Sequence, residues 1–224
     1  MNLIRSNGSQ LEPDLKKAIV ECGRICYERN YMTSNDGNIS VRTEDGFILI
    51  TCSGIPKGRM EELDILRIDL SGNPVGSEQP GRPSSETPMH LEVYKQRYDV
   101  RAVIHAHPVF ATALTVAGIE FPSDMLPEVI LTLGEVPTTK YATPSSEEDA
   151  EAIRDLIQSH NAILLRQHGS LTLGKDLEEA LIHLERIEHV AEVYWRARSY
   201  GEISKIPAEA QKRLLEVRSK YFKS

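Results

Sequence analysis

The chain has 224 residues, 33 of them acidic and 26 basic, for a formal net charge of −7. With no basic stripe, a nucleic-acid surface is excluded as its main role, and a small-molecule partner is expected. No apolar run approaches the roughly 20 residues that span a bilayer, and the opening MNLIRSNGSQ lacks the apolar core of a signal peptide, so a cytoplasmic protein with no membrane partner is expected.

A chain of this length can build one substantial core, and one domain over residues 1–224 is expected. Its three cysteines, Cys22, Cys26 and Cys52, cannot all pair, and a reducing cytosol keeps them as thiols. Cys22 and Cys26 read as small buried hydrophobes of a helix.

In chain order, Leu11, Leu15, Ala18, Ile19, Cys22 and Ile25 recur at helical spacing and predict an amphipathic helix from Leu11 to Asn30. Asn38 to Arg42 and Phe47 to Thr51 follow as antiparallel strands around the Asp45-Gly46 turn. CSGIPKGRMEELD reads as a glycine-containing loop with one helical turn, ILRIDL as a short strand and EQPGRPSSE as a second loop.

Thr87 to Tyr98 is predicted helical, VRAVIHA is a β-branched strand that Pro108 stops, and VFATALTVAG is a short helix. Ser145 or Ser146 caps the next helix, AILLRQHGSLTLG is a strand-turn-strand unit, and Asp176 to Tyr200 is a long helix. A last helix starts near Pro207 and runs into RSKYFKS. Short strands alternating with uneven helices, without a regular βαβ repeat, predict an α/β fold whose mostly antiparallel central sheet is flanked by helices.

His105 and His107 close the strand RAVIHA. Successive strand residues alternate faces, so both imidazoles leave the same face with their Cα atoms about 7 Å apart. They can converge on one zinc ion, or stand as ordinary polar residues at a strand end. A catalytic zinc takes about three protein ligands and leaves one position open. His168, at the end of LLRQH and followed by Gly169, is the best third candidate. His160, His183 and His189 read as structural. His90, four residues after Glu86 on one helical face, either orients that carboxylate or simply packs.

GNISVR (37–42), TCSGIP (51–56), PSSE followed by MH (83–90), VIHAHP (103–108) and LLRQHG (164–169), in this order, resemble the class II aldolase/adducin family. The resemblance implies a single α/β domain, a zinc or other divalent transition metal on His105, His107 and His168, and Glu86 as the catalytic carboxylate. It implies a phosphate pocket at Asn38, Ser53, Gly54, Ser84 and Ser85. Those residue types suit a phosphate, since hydroxyls, an amide and glycine-exposed backbone N–H groups all donate to it; by themselves both stretches read as ordinary turns.

The resemblance further implies a homotetramer with active sites at subunit interfaces and a phosphorylated small-molecule substrate. Tyr221 occupies a place comparable to that of a C-terminal tyrosine that assists proton transfer from a neighbouring subunit, or else packs as a terminal aromatic. The implied reaction is aldol cleavage of a ketose 1-phosphate, of fuculose, deoxyribulose or methylthioribulose type, to dihydroxyacetone phosphate and an aldehyde, with zinc holding the enediolate charge. Glu86 is expected to have a near-neutral pKa if the pocket is dry and the metal intermittently releases it. Related family activities are 4-epimerisation of a pentulose 5-phosphate, dehydration of methylthioribulose 1-phosphate and decarboxylation of a sugar-acid phosphate; a non-catalytic adducin-like module is a further alternative. In FPSDMLPEVILTLGEVP this sequence has Leu126 and Glu128 where the aldolase pattern has another tyrosine. Glu128 is then a metal contact, an acid/base group or a solvated charge at the start of a strand.

Overall fold

Six strands pair antiparallel throughout, in the order β3-β2-β1-β4-β6-β5. They are β1 (Asn38–Arg42), β2 (Ile48–Thr51), β3 (Ile65–Ile68), β4 (Ala102–Ala106), β5 (Ala162–Leu165) and β6 (Gly169–Gly174). The computed structural model describes residues 11–76 and 81–221, with the backbone alone at 221.

Among the described residues the α-helices are α1 (Glu12–Glu28), α2 (Thr87–Gln96), α3 (Val109–Ala117), α4 (Pro127–Thr132), α5 (Glu147–Ile153), α6 (Leu177–Arg198) and α7 (Ala208–Tyr221). Lys57–Arg59 and Glu62–Asp64 add two short 3-10 turns where one helical turn was expected. None of the helices is long and apolar enough to cross a membrane.

Strand alternation divides the core in two. Ile39, Val41, Ile104 and Ala106 face one cluster, filled by Ile19, Cys22 and Cys26 of α1 and by Leu184, Ile187 and Ala191 of α6. Val103, Leu171 and Leu173 face the other, against Met89, Val93 and Tyr94 of α2 and Ile153 of α5. Cys22 and Cys26 are buried free thiols, as their helical spacing predicts.

The second face also carries the polar set. Asn38 and Ser40 of β1 and His105 of β4 are fully or nearly fully buried there, beneath α2. Period-two patterning thus gives one face of the central strands to packing and the end of the other to polar side chains.

One element differs in kind from the reading of its sequence. The apolar run after Glu128 forms helix α4 and not a strand, because Pro127 occupies a first-turn position with φ suited to a helix, and Val129 and Ile130 bury as a helical pair. α4 packs on α7.

Candidate active site

The register of the sheet brings distant residues together. Asn38, at the start of β1, lies directly opposite His105 near the end of β4. His107 follows one residue beyond the strand, anchored by its N–H to the Tyr31 carbonyl at 2.8 Å. His168 sits in the β5–β6 turn, which Gln167 bends with a left-handed φ of 55°. Gly169 permits the closure: a Cβ there would stand 2.4 Å from the Ala106 carbonyl oxygen and 2.7 Å from His107 Cδ2.

The three imidazole centroids are 4.7 to 4.9 Å apart, and one nitrogen from each lies within 4.8 Å of the others. His105 donates Nδ1–H to the Ser170 carbonyl at 2.9 Å, which leaves its Nε2 lone pair facing inward. That Nε2 is 3.0 Å from His107 Nε2. Two imidazole nitrogens at this distance need a shared proton or a cation between them. Burial pulls His105 down to about 4 and His107, where the adjoining imidazoles further disfavour a positive charge, down to about 3. Both rings are therefore neutral at pH 7, the state in which imidazole ligates metal. Three imidazole nitrogens beside a carboxylate are a donor set that fits a divalent transition ion with a position left open.

Glu86 precedes α2 as its N-cap residue. Its Oε2 is 3.3 Å from His105 Nε2, its Oε1 is 3.2 Å from His168 Nε2, and Asn38 donates Nδ2–H to Oε2 at 2.7 Å. Burial works to raise the carboxyl, but His105, His168 and Asn38 together hold it well below the ordinary carboxylate range. Against the near-neutral value expected for a dry pocket, Asn38 and the adjoining imidazoles favour the ionised carboxylate when no metal is bound.

His90 does not touch Glu86; it acts one residue removed. His90 Nε2 meets Asn38 Oδ1 at 2.5 Å, His90 Nδ1 meets Ser40 Oγ at 2.7 Å, and Ser40 Oγ meets the Tyr94 hydroxyl at 2.8 Å. Because the Asn38 amide donates to Glu86, its oxygen must accept, so His90 carries its proton on Nε2. Nδ1 then accepts from Ser40, which accepts from Tyr94. Burial pulls His90 down to about 4, so the ring in this chain is neutral.

The two glycine- and serine-bearing loops are joined by a short extension of β2. Ser53 N–H bonds the Arg82 carbonyl at 2.9 Å and Ser84 N–H bonds the Thr51 carbonyl at 3.2 Å, with Cys52 bridging to Pro83. Asn38, Ser53, Gly54, Ser84 and Ser85 all line one cavity of about 240 Å³ that also reaches Glu86, His107 and His168.

The cavity includes residues that the sequence reading passed over. Ser146, and not Ser145, caps α5. Ser145 lies in a left-handed turn, lines the cavity and donates to Ser85 Oγ at 2.8 Å. Asp36 and Lys57 line it as well; nothing in their local sequence distinguishes them from loop charges. Glu128 is exposed in the first turn of α4, outside this lining. Tyr221 ends α7, and its side chain lies outside the described residues.

Residues 17–195 match the Class II Aldolase and Adducin N-terminal domain. The chain belongs to the class II aldolase and adducin family. It is similar to L-fuculose phosphate aldolase of Methanococcus maripaludis, at 34% identity over 180 residues that cover 80% of this chain and 95% of that protein. It is also similar to 3-oxo-tetronate 4-phosphate decarboxylase of Haemophilus influenzae, at 30% identity over 184 residues, covering 80% and 86%. A solved structure of L-fuculose 1-phosphate aldolase aligns with a TM-score of 0.83 at 30% identity, over 99% of this chain and 100% of that one.

Proposed function

We propose that this chain is a divalent-metal-dependent lyase that cleaves a carbon–carbon bond of a phosphorylated sugar, in the first instance an aldolase acting on a ketose 1-phosphate. The products are dihydroxyacetone phosphate and an aldehyde. The observation that carries this reading is the convergence of three close imidazoles and Glu86, with His107, His168 and Glu86 reaching a cavity lined by serine hydroxyls and an amide.

His105, His107 and His168 would hold the metal. Bound there, a divalent ion supplies a Lewis acid for the negative charge that develops on the ketose half. Asn38, Ser53, Gly54, Ser84 and Ser85 would grip the phosphate and so orient the scissile bond. Glu86, next to the imidazoles, would take up a proton from solvent and pass it to the carbon freed by cleavage, and would remove it in the condensation direction. On this reading the chain works as a single domain within a tetramer, and Tyr221 from a neighbouring subunit assists transfer of the hydroxyl proton that the aldehyde half loses in cleavage. Light scattering and a Tyr221→Phe variant check those two points.

A second reading, decarboxylation of a 3-oxo sugar-acid phosphate, is favoured by Leu126 and Glu128 standing where the aldolase pattern has a tyrosine. Loss of CO2 from a 3-oxo-tetronate 4-phosphate leaves the same enediolate of dihydroxyacetone phosphate that aldol cleavage leaves. The two reactions differ only in the group that departs. Metal-loaded protein should therefore be assayed with both substrate classes for dihydroxyacetone phosphate, with aldehyde and CO2 measured separately. Aldehyde supports the first reading and CO2 the second; no dihydroxyacetone phosphate from either class rejects both.

A further inference from the structure

Lys57 is an unusual presence in this cavity. It is 2% exposed, although lysine is among the residues that least often bury. Its Nζ donates to the Asn35 carbonyl at 3.1 Å and the Ile55 carbonyl at 2.8 Å. Those carbonyls belong to the segment before Asn38 and the segment after Gly54, so one ammonium ties together two walls of the cavity. The stem is held from behind by α1, where a Cβ on Gly23 would come within 3.0 Å of the Lys57 carbonyl oxygen.

The charges in the cavity give this residue a second task. Asp36 and Glu86 both line it, and Lys57 is the one lysine or arginine among the lining residues described. A phosphate monoester brings nearly two negative charges at neutral pH. Hydroxyls and amides can bond such a group but carry no net charge to balance it, and the metal site lies toward the histidines.

We propose that Lys57 is the cation that neutralises the substrate's phosphate, and so selects for a phosphorylated ligand. This deepens the functional reading above and rests on it. An ammonium donates three hydrogen bonds, and two are spent on carbonyls, which fix its position without cancelling its charge. Burial pulls Lys57 down to about 8, with Asp36, Glu86 and Cys52 acting in the opposite sense. At pH 7 the group is still a cation, and a dianion bound beside it would favour that state further.

The test is calorimetric binding of dihydroxyacetone phosphate, the product shared by both readings, to the metal-loaded protein. Lys57→Gln retains N–H donors for the two carbonyls and removes the charge. With folding checked by circular dichroism and metal content by elemental analysis, Lys57→Gln should bind the ligand about 10- to 100-fold more weakly, the scale of a charge-assisted contact. In the wild type at pH 8, binding should also take up a fraction of a proton, seen as a dependence of binding enthalpy on buffer ionisation; Lys57→Gln should lose that component.

Wild-type affinity in Lys57→Gln would overturn the proposal and leave the proposed function standing. Absence of proton uptake by the wild type would overturn it even if the variant failed to fold. A metallated wild type that binds no dihydroxyacetone phosphate would reject the functional reading itself, and Lys57's role with it.

Discussion

Glu86 and His90 share a single amide: Asn38 donates to Glu86 Oε2 at 2.7 Å while its oxygen receives His90 Nε2–H at 2.5 Å. The amide cannot rotate by half a turn without setting its oxygen against the carboxylate and its NH2 against an N–H donor. His90 is therefore a positioning residue for Asn38, although it lies wholly inside the core. His90→Phe should lower turnover about 10-fold and leave metal content unchanged, with a stability loss of about 1–3 kcal/mol from the unsatisfied Asn38 and Ser40 groups. His90→Gln, which can restore a donor, should recover most of the turnover. Equal loss in both variants would reduce His90 to a packing role.

Glu86 touches two of the candidate ligands without being needed to assemble them. Glu86→Gln should keep metal content and fold, yet lose about 100- to 10,000-fold in turnover, the span typical of removing a general acid/base. Parallel measurement of metal content and product formation checks it; unchanged turnover would remove Glu86 from the chemistry.

The imidazole triad should be separable from the fold. The hydrophobic clusters on both sheet faces do not depend on His107, which lies beyond the end of β4. His107→Ala should show native circular dichroism with metal content sharply reduced, and chelation of the wild type should abolish turnover that added zinc or manganese restores. A fully metallated His107→Ala protein would sink the ligand assignment.

Acid should destabilise the metal-free protein in a defined window. Burial holds His90 and His105 at about 4 and His107 at about 3, against about 6.5 in an unfolded chain. Between these values the unfolded state binds protons that the folded state refuses, so stability is complete above pH 6.5 and falls as pH drops toward 4. The gap at His90 alone corresponds to about 3 kcal/mol. Urea midpoints between pH 7 and 4.5 should decline, less steeply in His90→Gln; a flat profile would contradict neutral burial of these rings.

Gly169 sets the approach of the third histidine. With a Cβ 2.4 Å from Ala106 O and 2.7 Å from His107 Cδ2, Gly169→Ala must push β6 from the end of β4. A loss of about 1–3 kcal/mol in stability is expected from such overpacking, together with weaker metal retention, measured by competition with a chelator. Unaltered metal affinity would show that the turn can yield without moving His168.

Much of this architecture was written locally. The heptad-like spacing of α1 and α6, the alternation in β1 and β4, and Pro108 after His107 mark elements whose observed limits lie close to the predicted ones, because periodicity and chain breakers act over a few residues. The motif series from GNISVR to LLRQHG likewise identified the family and named many, not all, of the residues that line the cavity. Other features depend on contacts between segments far apart in the chain. The pairing of Asn38 with His105 is a matter of strand register across 66 intervening positions of chain, and the lowered carboxyl of Glu86 follows from neighbours on β1, β4 and the β5–β6 turn. Sequence determined which side chains are available; only the tertiary structure decided that Lys57 is buried at the cavity and that His90 reaches Glu86 through an amide, because burial and hydrogen-bond polarity are properties of assembled surroundings.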